Sequence, residues 1–323
     1  MARRVLQLIT GITVGGAENH LLTLCEGLVE RGHDVTVAYL KGEGELREAF
    51  EAAGCTVVAI DIGADADPLG LARLLGHVRG EEYDVIHGHL FHGTVYGAAV
   101  AALTRDTRFV VSKHNDHPFW DEQPYRTIHD LAMTQADRVV CLSEHVRQYL
   151  LETTRVAPGD VETIHYGLDP APFDEVPPET VASVRSELSG NGPLVGTVGR
   201  LTEQKDFPVL VRAFGRVSES VPDARLAVVG RGEEKADLRA LTRRLGIEDR
   251  VTFTGFREDI PALMHAFDVF ALPSRWEGFG VVFLEAMAAG TPIVASDTSA
   301  IPEVVGRGDD SAGRLVEPGD VAG

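Results

Sequence analysis

The sequence lacks the features of several common protein classes. No apolar run approaches the roughly 18–20 residues of a membrane-spanning helix, and the opening MARRVLQLIT passes directly into a strand pattern without the layout of a secretory signal peptide. Cysteine is scarce, and Cys25, Cys55 and Cys141 lack the spacing of a zinc site. We therefore expect a cytoplasmic protein with reduced thiols.

Positive charge is also scarce. The chain has 30 Lys and Arg against 49 Asp and Glu, a formal net charge of −19, whereas a nucleic-acid partner requires a basic surface. Residues 1–175 carry 14 Lys and Arg against 27 Asp and Glu, so docking on anionic lipid is not favoured either. The composition, 44% hydrophobic and 24% charged, is typical of a soluble globular protein, and 323 residues suffice for two domains.

The most informative stretch lies between residues 268 and 305. A strand pattern at Asp268–Leu272 leads into the loop Arg275–Gly280, and the apolar run Val281–Ala289 predicts a buried helix that Gly290 ends. One carboxylate, Glu285, interrupts this helix. A buried carboxylate needs hydrogen-bond donors, and the two hydroxyls of a ribose would supply them.

A second carboxylate, Glu277, lies near the amino end of the same predicted helix. The free N–H groups there favour an anion. The stretch therefore indicates a site for a ligand with both hydroxyls and phosphate. The alternative is that Glu277 only caps the helix and Glu285 pairs with an arginine of the core.

Strands and helices alternate along the whole chain, which predicts parallel sheets. We expect a Rossmann-like domain over residues 1–170, a proline-rich linker over 171–189, and a second Rossmann-like domain over 190–323 that is apparently incomplete at its C-terminus. In the first domain Gly15 and Gly16 precede a helix expected over Asn19–Glu30. Such a loop admits a phosphate or makes a tight turn, and it is not the G-x-G-x-x-G pattern of a dinucleotide site.

Polar residues follow several predicted strands, where ligands collect in open α/β sheets. His114 lies in the polar end of a strand expected over Phe109–His117. In the second domain Arg200 and Lys205 flank a strand-to-helix turn, where they either grip a pyrophosphate or remain solvated.

Three histidines, His87, His89 and His92, are closely spaced after another strand. Neutral imidazole is a common ligand of transition metals. No carboxylate or cysteine completes the set, so structural or cleft-lining histidines are favoured and no metal site is predicted.

The two glutamates stand in the ordered pattern EGFG…LEAMAAGTPIVASD…IPEVV, which closely resembles the donor-binding segment of family-4 retaining glycosyltransferases of the GT-B fold. The segments GGAE, DVIHGH and GRLTEQKDF resemble the same family. The resemblance implies two Rossmann-like, doubly wound parallel-sheet domains facing across a cleft. It also implies transfer of a hexosyl unit from a nucleotide-diphosphate sugar to an acceptor hydroxyl with retention, without a cofactor or an essential metal.

The resemblance also implies roles for individual residues. His114 would lie against the donor sugar and its phosphate, Arg200 and Lys205 would hold the diphosphate, Glu277 a sugar hydroxyl and Glu285 the ribose diol. Further donor contacts would come from Gly15, Gly16, Gly230, Arg257, Gly278, Phe279 and Gly280.

The substrates are less defined. A UDP-sugar is favoured over a GDP-sugar only because the family uses it more often, and the acceptor is a sugar, a glycan or a small molecule in glycan, polysaccharide or glycoconjugate biosynthesis. Two alternatives stay open. One is a nucleotide-sugar 2-epimerase, which shares the architecture but not the EGFG…E segment. The other is a non-catalytic subunit that binds a nucleotide sugar or a partner enzyme.

Overall fold

The computed structural model describes residues 2–104, 107–116, 123–189 and 192–322. Its chain divides into two compact units, Met1–Tyr166 and Gly167–Gly323. His117, at the end of the strand expected over residues 109–117, lies outside the described residues. No helix in the described ranges combines the length and apolarity that crossing a bilayer requires.

The first unit has a parallel sheet in the order β3-β2-β1-β4-β5-β6-β7. Its central strands are largely buried, and most of their residues are apolar, because helices cover the sheet on both sides. The strands are β1 (Arg4–Ile9), β2 (Asp34–Tyr39), β3 (Thr56–Ala59), β4 (Val85–His89), β5 (Arg108–Lys113), β6 (Arg138–Cys141) and β7 (Val161–Thr163). The helices are α1 (Gly16–Glu30), α2 (Arg47–Ala52), α3 (Pro68–Glu81), α4 (Leu90–Ala101), α5 (Tyr125–Met133) and α6 (Glu144–Thr153).

The second unit repeats this design with a parallel sheet in the order β10-β9-β8-β11-β12-β13. The strands are β8 (Leu194–Val198), β9 (Arg225–Val229), β10 (Val251–Gly255), β11 (Val269–Leu272), β12 (Ile293–Ser296) and β13 (Gly313–Val316). The helices are α7 (Ala171–Asp174), α8 (Pro178–Leu188), α9 (Phe207–Ser220), α10 (Lys235–Arg244), α11 (Ile260–Ala266), α12 (Val281–Ala288) and α13 (Ile301–Val305). The two doubly wound α/β units confirm the predicted fold class.

The segment 171–189, expected to be a linker, is the main departure from the predicted organisation. It forms α7 and α8, and Val184 and Leu188 of α8 are buried in the core of the second unit. Pro178 is compatible with a helix because it stands in the first turn, where its missing N–H has no intrahelical partner to lose. The boundary between the units accordingly lies earlier, after Tyr166.

Two loops of the second unit pack backbone against backbone. Gly230 follows β9 with a φ of +136°, and a Cβ at this position would lie 1.9 Å from the carbonyl oxygen of Gly199, which follows β8. The N–H of Leu201 donates to the carbonyl of Arg231 over 2.8 Å. Only glycine meets both the backbone angle and the spacing at position 230.

We expect Gly230→Ala to lower the free energy of unfolding by about 3 kcal/mol or more, because the added methyl group forces the two loops apart. Gly246→Ala is the matched control. Gly246 also has a positive φ, +68°, but nothing lies within 4 Å of an added Cβ, so only backbone strain of about 1 kcal/mol is expected. Urea unfolding measures both variants, and equal losses would contradict the packing argument.

Candidate functional site

In the second unit, the loops that carry the predicted residues follow adjacent strands. The chain proceeds from β8 through β9 to β10 on one side of the sheet and then crosses to β11 on the other side of β8. Ligands in open α/β sheets bind at the carboxyl ends of strands where the strand order reverses in this way. Lys205 follows β8 and Glu277 follows β11, so both lie at this point of the sheet.

Lys205 and Glu277 form a buried ion pair. Nζ of Lys205 lies 2.5 Å from Oε1 of Glu277, and the two side chains are 14% and 6% exposed. Ser274 donates a hydrogen bond of 2.7 Å to the same oxygen. Nε2 of Gln204 donates to the carbonyl of Trp276 over 3.0 Å and lies 3.5 Å from Oε2 of Glu277. The pair therefore joins the two loops as well as presenting charge.

Glu285 is a partly buried carboxyl group on α12. Within the described ranges its side chain has no hydrogen-bond or ion-pair partner. Burial raises the pKa of Glu285 to about 7, although the ammonium group of Lys205 acts in the opposite direction. An isolated carboxyl group of this kind is ready to accept hydrogen bonds from ligand hydroxyls.

The alternative roles considered for the two glutamates do not match this geometry. Glu277 bonds to Lys205 and Ser274. The N-cap residue of α12 is Gly280, with a φ of +84°, and no side chain makes a cap hydrogen bond there. Glu285 has no arginine partner in the part of the chain that is described. Only Phe283 and Ala286 of α12 are fully buried, so this helix is less buried than its apolar sequence predicts.

Arg200 and the glycine-containing loops complete the edge of this site. The side chain of Arg200 is exposed and makes no hydrogen bond or ion pair with any described residue. Phe279 is buried between Gly278 and Gly280, and a Cβ at Gly280 would lie 2.7 Å from the ring of Phe283. The guanidinium group of Arg200 is thus available to an anion, while the EGFG loop is fixed by packing.

The guanidinium group of Arg257 is already bonded to carboxylates of this unit. Its Nε and Nη2 bond to both carboxylate oxygens of Asp259 over 2.7 and 2.6 Å, and its Nη1 bonds to Glu187 over 2.8 Å. These bonds raise the pKa of Arg257 above its usual value. A donor contact by this guanidinium would compete with two carboxylates, and its predicted role stays a prediction.

Sequence reasoning missed the residues that brace the two loops. Arg275 bonds through Nε to Asp206 over 3.0 Å and through Nη1 to Glu203 over 2.7 Å, and Ser274 and Gln204 support Glu277 as described. These residues stand within the predicted loops, but no spacing in the sequence pairs residues about seventy positions apart. Only the prediction that β8 and β11 are neighbours in the sheet could have placed these two loops together.

In the first unit, Gly15 and Gly16 begin α1 as the glycine loop predicts, three residues before the expected start. A Cβ at Gly15 would lie 2.4 Å from Oε2 of Glu18. The helix start therefore already has a carboxylate beside it. A phosphate at this loop would require Glu18 to move, and the donor role of both glycines stays a prediction.

His114 was expected within a strand, but β5 ends at Lys113, so His114 follows it directly, and its side chain is buried. Its Nδ1 lies 2.5 Å from the Tyr166 hydroxyl and its Nε2 lies 3.0 Å from Nδ1 of His89. Burial, with smaller contributions from neighbouring His20, His87 and Lys113, keeps the pKa of His114 well below its usual value. His114 is therefore a neutral imidazole whose two nitrogens both have partners.

Of the three closely spaced histidines, His87 and His89 lie with 4.1 Å between their ring centroids, whereas His92 bonds to a different group. His87 bonds to Ser112 over 2.8 Å, His89 bonds to His114, and His92 lies 2.9 Å from Asp65. Among the described residues no group of three or more His, Cys, Asp or Glu side chains is placed to hold a metal ion.

Two family models and several solved structures match this chain over most of its length. The family model "Glycosyltransferase Family 4" matches residues 14–172, and the model "Glycosyl transferases group 1" matches residues 181–323. The crystal structure of Anabaena Alr3699/HepE in complex with UDP and glucose superposes with a TM-score of 0.88 and 26% identity, covering 99% of this chain and 87% of that one. WaaG, a glycosyltransferase involved in lipopolysaccharide biosynthesis, shares the fold with a TM-score of 0.76 at 18% identity over 97% of this chain and 86% of that one.

Two curated relatives are similar in sequence. An uncharacterized glycosyltransferase, MJ1607 of Methanocaldococcus jannaschii, is 29% identical over 90% of this chain and 79% of its own length. The D-inositol 3-phosphate glycosyltransferase of Mycobacterium sp. strain JLS is 32% identical over 74% of this chain and 56% of its own length. The matched region thus spans only about half of the second relative.

Proposed function

The chain belongs to the family-4 glycosyltransferases, and from this premise we propose that it transfers a hexosyl unit from a nucleoside diphosphate sugar to an acceptor hydroxyl with retention. A UDP-sugar is favoured over a GDP-sugar as the donor, and the acceptor is a sugar, a glycan or a small molecule. The two α/β units have the GT-B fold. The observation that carries the proposal is the buried Lys205–Glu277 pair at the point where the strand order reverses. It lies within electrostatic reach of Glu285, which has no partner among the described residues.

The charges of the second unit fit the development of charge in this reaction. Departure of the sugar leaves negative charge on the diphosphate, and preorganised cations and N–H groups stabilise such a leaving group. Arg200 is exposed and unpartnered among the described residues, and Lys205 is held in place by Glu277. In the proposed reaction these two side chains bind the diphosphate, so the scheme requires no metal ion or other cofactor.

The two glutamates position the donor in this proposal. Glu277 accepts a hydrogen bond from a sugar hydroxyl through Oε2, because Lys205 and Ser274 already occupy Oε1. Glu285 accepts hydrogen bonds from both ribose hydroxyls. The proposed scheme uses neither as a general base, because the leaving phosphate takes the proton of the acceptor hydroxyl on the same face of the sugar.

The comparisons support a UDP-sugar as donor without deciding it. Alr3699/HepE was crystallised in complex with UDP-glucose and superposes with a TM-score of 0.87 at 27% identity. MJ1607, the D-inositol 3-phosphate enzyme and WaaG are named as glycosyltransferases, which gives the 2-epimerase alternative no support. A non-catalytic nucleotide-sugar-binding subunit remains as an outcome that experiment distinguishes.

Thermal unfolding with UDP, GDP, ADP and dTDP tests the donor site. We expect UDP to raise the melting temperature, because a ligand that binds only the native state stabilises it by about 2.7 kcal/mol at a hundredfold excess over Kd. Glu285→Ala should lose this shift. Glu219→Ala, which changes an exposed glutamate of α9, should keep it.

Each other outcome has a distinct meaning. If GDP alone raises the melting temperature, the proposed donor becomes a GDP-sugar and the proposed site is unchanged. A shift that survives Glu285→Ala would show that the nucleotide binds elsewhere. UDP binding without sugar transfer to any supplied acceptor, measured as release of UDP from UDP-hexoses, would favour the non-catalytic subunit.

A further inference from the structure

In the second unit, residues 203–206 of the loop after β8 bond one by one to residues 275–277 of the loop after β11. Glu203 and Asp206 accept bonds from the side chain of Arg275, Gln204 donates to the carbonyl of Trp276, and Lys205 donates to Glu277. The N–H of Arg275 also donates to the carbonyl of Gln204 over 2.8 Å. Because each of the four residues has a partner in the second loop, the position of one loop depends on that of the other.

Asp206, the residue next to Lys205, has an unusual backbone conformation. It lies in the left-handed region, with φ +47° and ψ +41°, which is unfavourable for a residue with a Cβ atom, although aspartate tolerates it better than most. Asp206 also stands at the N-cap position of α9, where an aspartate normally accepts a bond from an N–H group of the first turn. Its side chain makes no such cap bond.

The carboxylate of Asp206 bonds to Arg275 instead. The side chain of Asp206 is 10% exposed, and its Oδ2 accepts a bond of 3.0 Å from Nε of Arg275. This bond is the largest of the causes that raise the pKa of Arg275 above its usual value. Because hydrogen bonds between charged groups are among the stronger ones, the pair offsets the backbone strain at Asp206.

Two further carboxylates, those of Glu203 and Glu234, act on the charge of Arg275. Oε2 of Glu234 is buried and has no hydrogen-bond partner among the described residues. Burial is the main cause that raises the pKa of Glu234, and Asp206 and Glu233 raise it further, whereas Arg275 lowers it. The guanidinium group of Arg275 therefore offsets repulsion among these carboxylates, and its loss would disturb the loop after β8.

The backbone angles of Asp206 determine where Lys205 lies relative to α9. Phe207, the first residue of α9, is fully buried, and packed side chains of this kind hold a helix in place. Rotation of Asp206 into a more common conformation would therefore turn Lys205 away from Glu277. Resting on the proposed glycosyltransferase function, we propose that Asp206 and Arg275 are positioning residues, whose ion pair holds the ammonium group of Lys205 in place for the diphosphate of the donor. Both act through Lys205 and not through a contact with the substrate.

NMR of lysine-labelled protein tests the position of Lys205 without any nucleotide. The chain has four lysines, so the ammonium signal of Lys205 is assigned by its loss in Lys205→Met. We expect this signal to exchange slowly with water in the wild type, because the group is bonded to a buried carboxylate. Asp206→Ala and Arg275→Met should each shift the signal toward that of an exposed lysine and speed its exchange.

Matched variants separate the backbone angle from the ion pair. Asp206→Asn tolerates the left-handed conformation and keeps an oxygen that accepts from Arg275, so the signal of Lys205 should be retained. Asp206→Gly permits the angle but removes the acceptor, and wild-type behaviour of this variant would overturn the role of Arg275. Asp61→Ala is the control. Asp61 lies in the first unit and also has a positive φ, +56°, so alanine imposes similar strain there and should leave the Lys205 signal unchanged.

Affinities for UDP and uridine test the role at the donor site. Uridine has the base and the ribose but no phosphate, so the position of Lys205 matters for UDP alone. Asp206→Ala and Arg275→Met should weaken UDP binding by roughly tenfold, the cost of losing one hydrogen bond to a charged group, and leave uridine binding unchanged. Asp206→Asn and Asp61→Ala should bind both compounds as the wild type does.

The outcomes separate this proposal from the proposed function. A wild-type chain that binds no nucleoside diphosphate overturns the proposed function and the diphosphate role of Lys205, while the lysine signals still decide whether Asp206 and Arg275 hold that side chain. An unchanged Lys205 signal in both Asp206→Ala and Arg275→Met overturns the positioning role. An equal fall in UDP and uridine affinity also overturns it, since that result would indicate general loss of structure. If Asp206→Ala does not fold, Arg275→Met decides the matter, because it introduces no backbone strain.

Discussion

Lys205→Met is expected to reduce kcat/KM for sugar transfer by roughly 10²- to 10³-fold, the usual cost of removing one preorganised group that stabilises developing charge. Lys205 is the cation closest to Glu277 and is 14% exposed, so water substitutes poorly for it. Methionine retains the apolar stem of the side chain. Steady-state kinetics with a UDP-hexose measure the loss, and Arg243→Met, an exposed change at the end of α10, should have no effect.

Stability measurements separate this loss from unfolding. Lys205→Met leaves the carboxylate of Glu277 buried with Ser274 as its remaining close donor, which should lower the free energy of unfolding by about 3–5 kcal/mol. The double variant Lys205→Met with Glu277→Gln has no uncompensated charge, so it should recover much of this stability and none of the activity. Recovery of activity together with stability would show that the pair is only structural.

The alternation of strands and helices was sufficient to predict both sheets. Buried runs such as Leu226–Val229 are apolar throughout because both faces of a parallel sheet are covered. The segment 171–189 was misjudged because its prolines were taken as breaks. Position in the first turn makes Pro178 compatible with α8, and the apolar pair Val184 and Leu188 at i, i+4 spacing was the sign of a buried helix face.

The candidate site was predictable where its residues stand in one segment. The spacing of Glu277 and Glu285 indicated a ligand with hydroxyls, but the ion pair of Glu277 with Lys205 depends on a crossover between strands. The role of His114 stays a prediction, and neither its hydrogen bond to His89 nor that of His89 to Gln7 was predicted. A single glutamine in the apolar run VLQLI was nevertheless a signal, because a buried amide requires a partner.

Glu285→Gln is expected to stabilise the chain at pH 8 and to change its stability little at pH 5. The native pKa of Glu285 is raised by burial from 4.5 to about 7, so between these values the native state binds more protons than the unfolded state and stability falls as pH rises. At pH 8 nearly the full penalty is present, and its removal should add about 3 kcal/mol to the free energy of unfolding. Urea unfolding at the two pH values measures the difference between variant and wild type, which cancels the titration of other groups.

The same substitution should weaken UDP binding by roughly 10- to 100-fold at pH 8, because a neutral amide forms weaker hydrogen bonds with the ribose hydroxyls than a carboxylate does. A chain that becomes more stable while it loses its ligand would show that Glu285 is retained for binding at a cost in stability. Glu219→Gln, an exposed change on α9, should alter neither quantity. A stability difference that does not depend on pH would mean that burial does not raise the pKa of Glu285. UDP affinity that survives the change would mean that Glu285 is not part of the donor site.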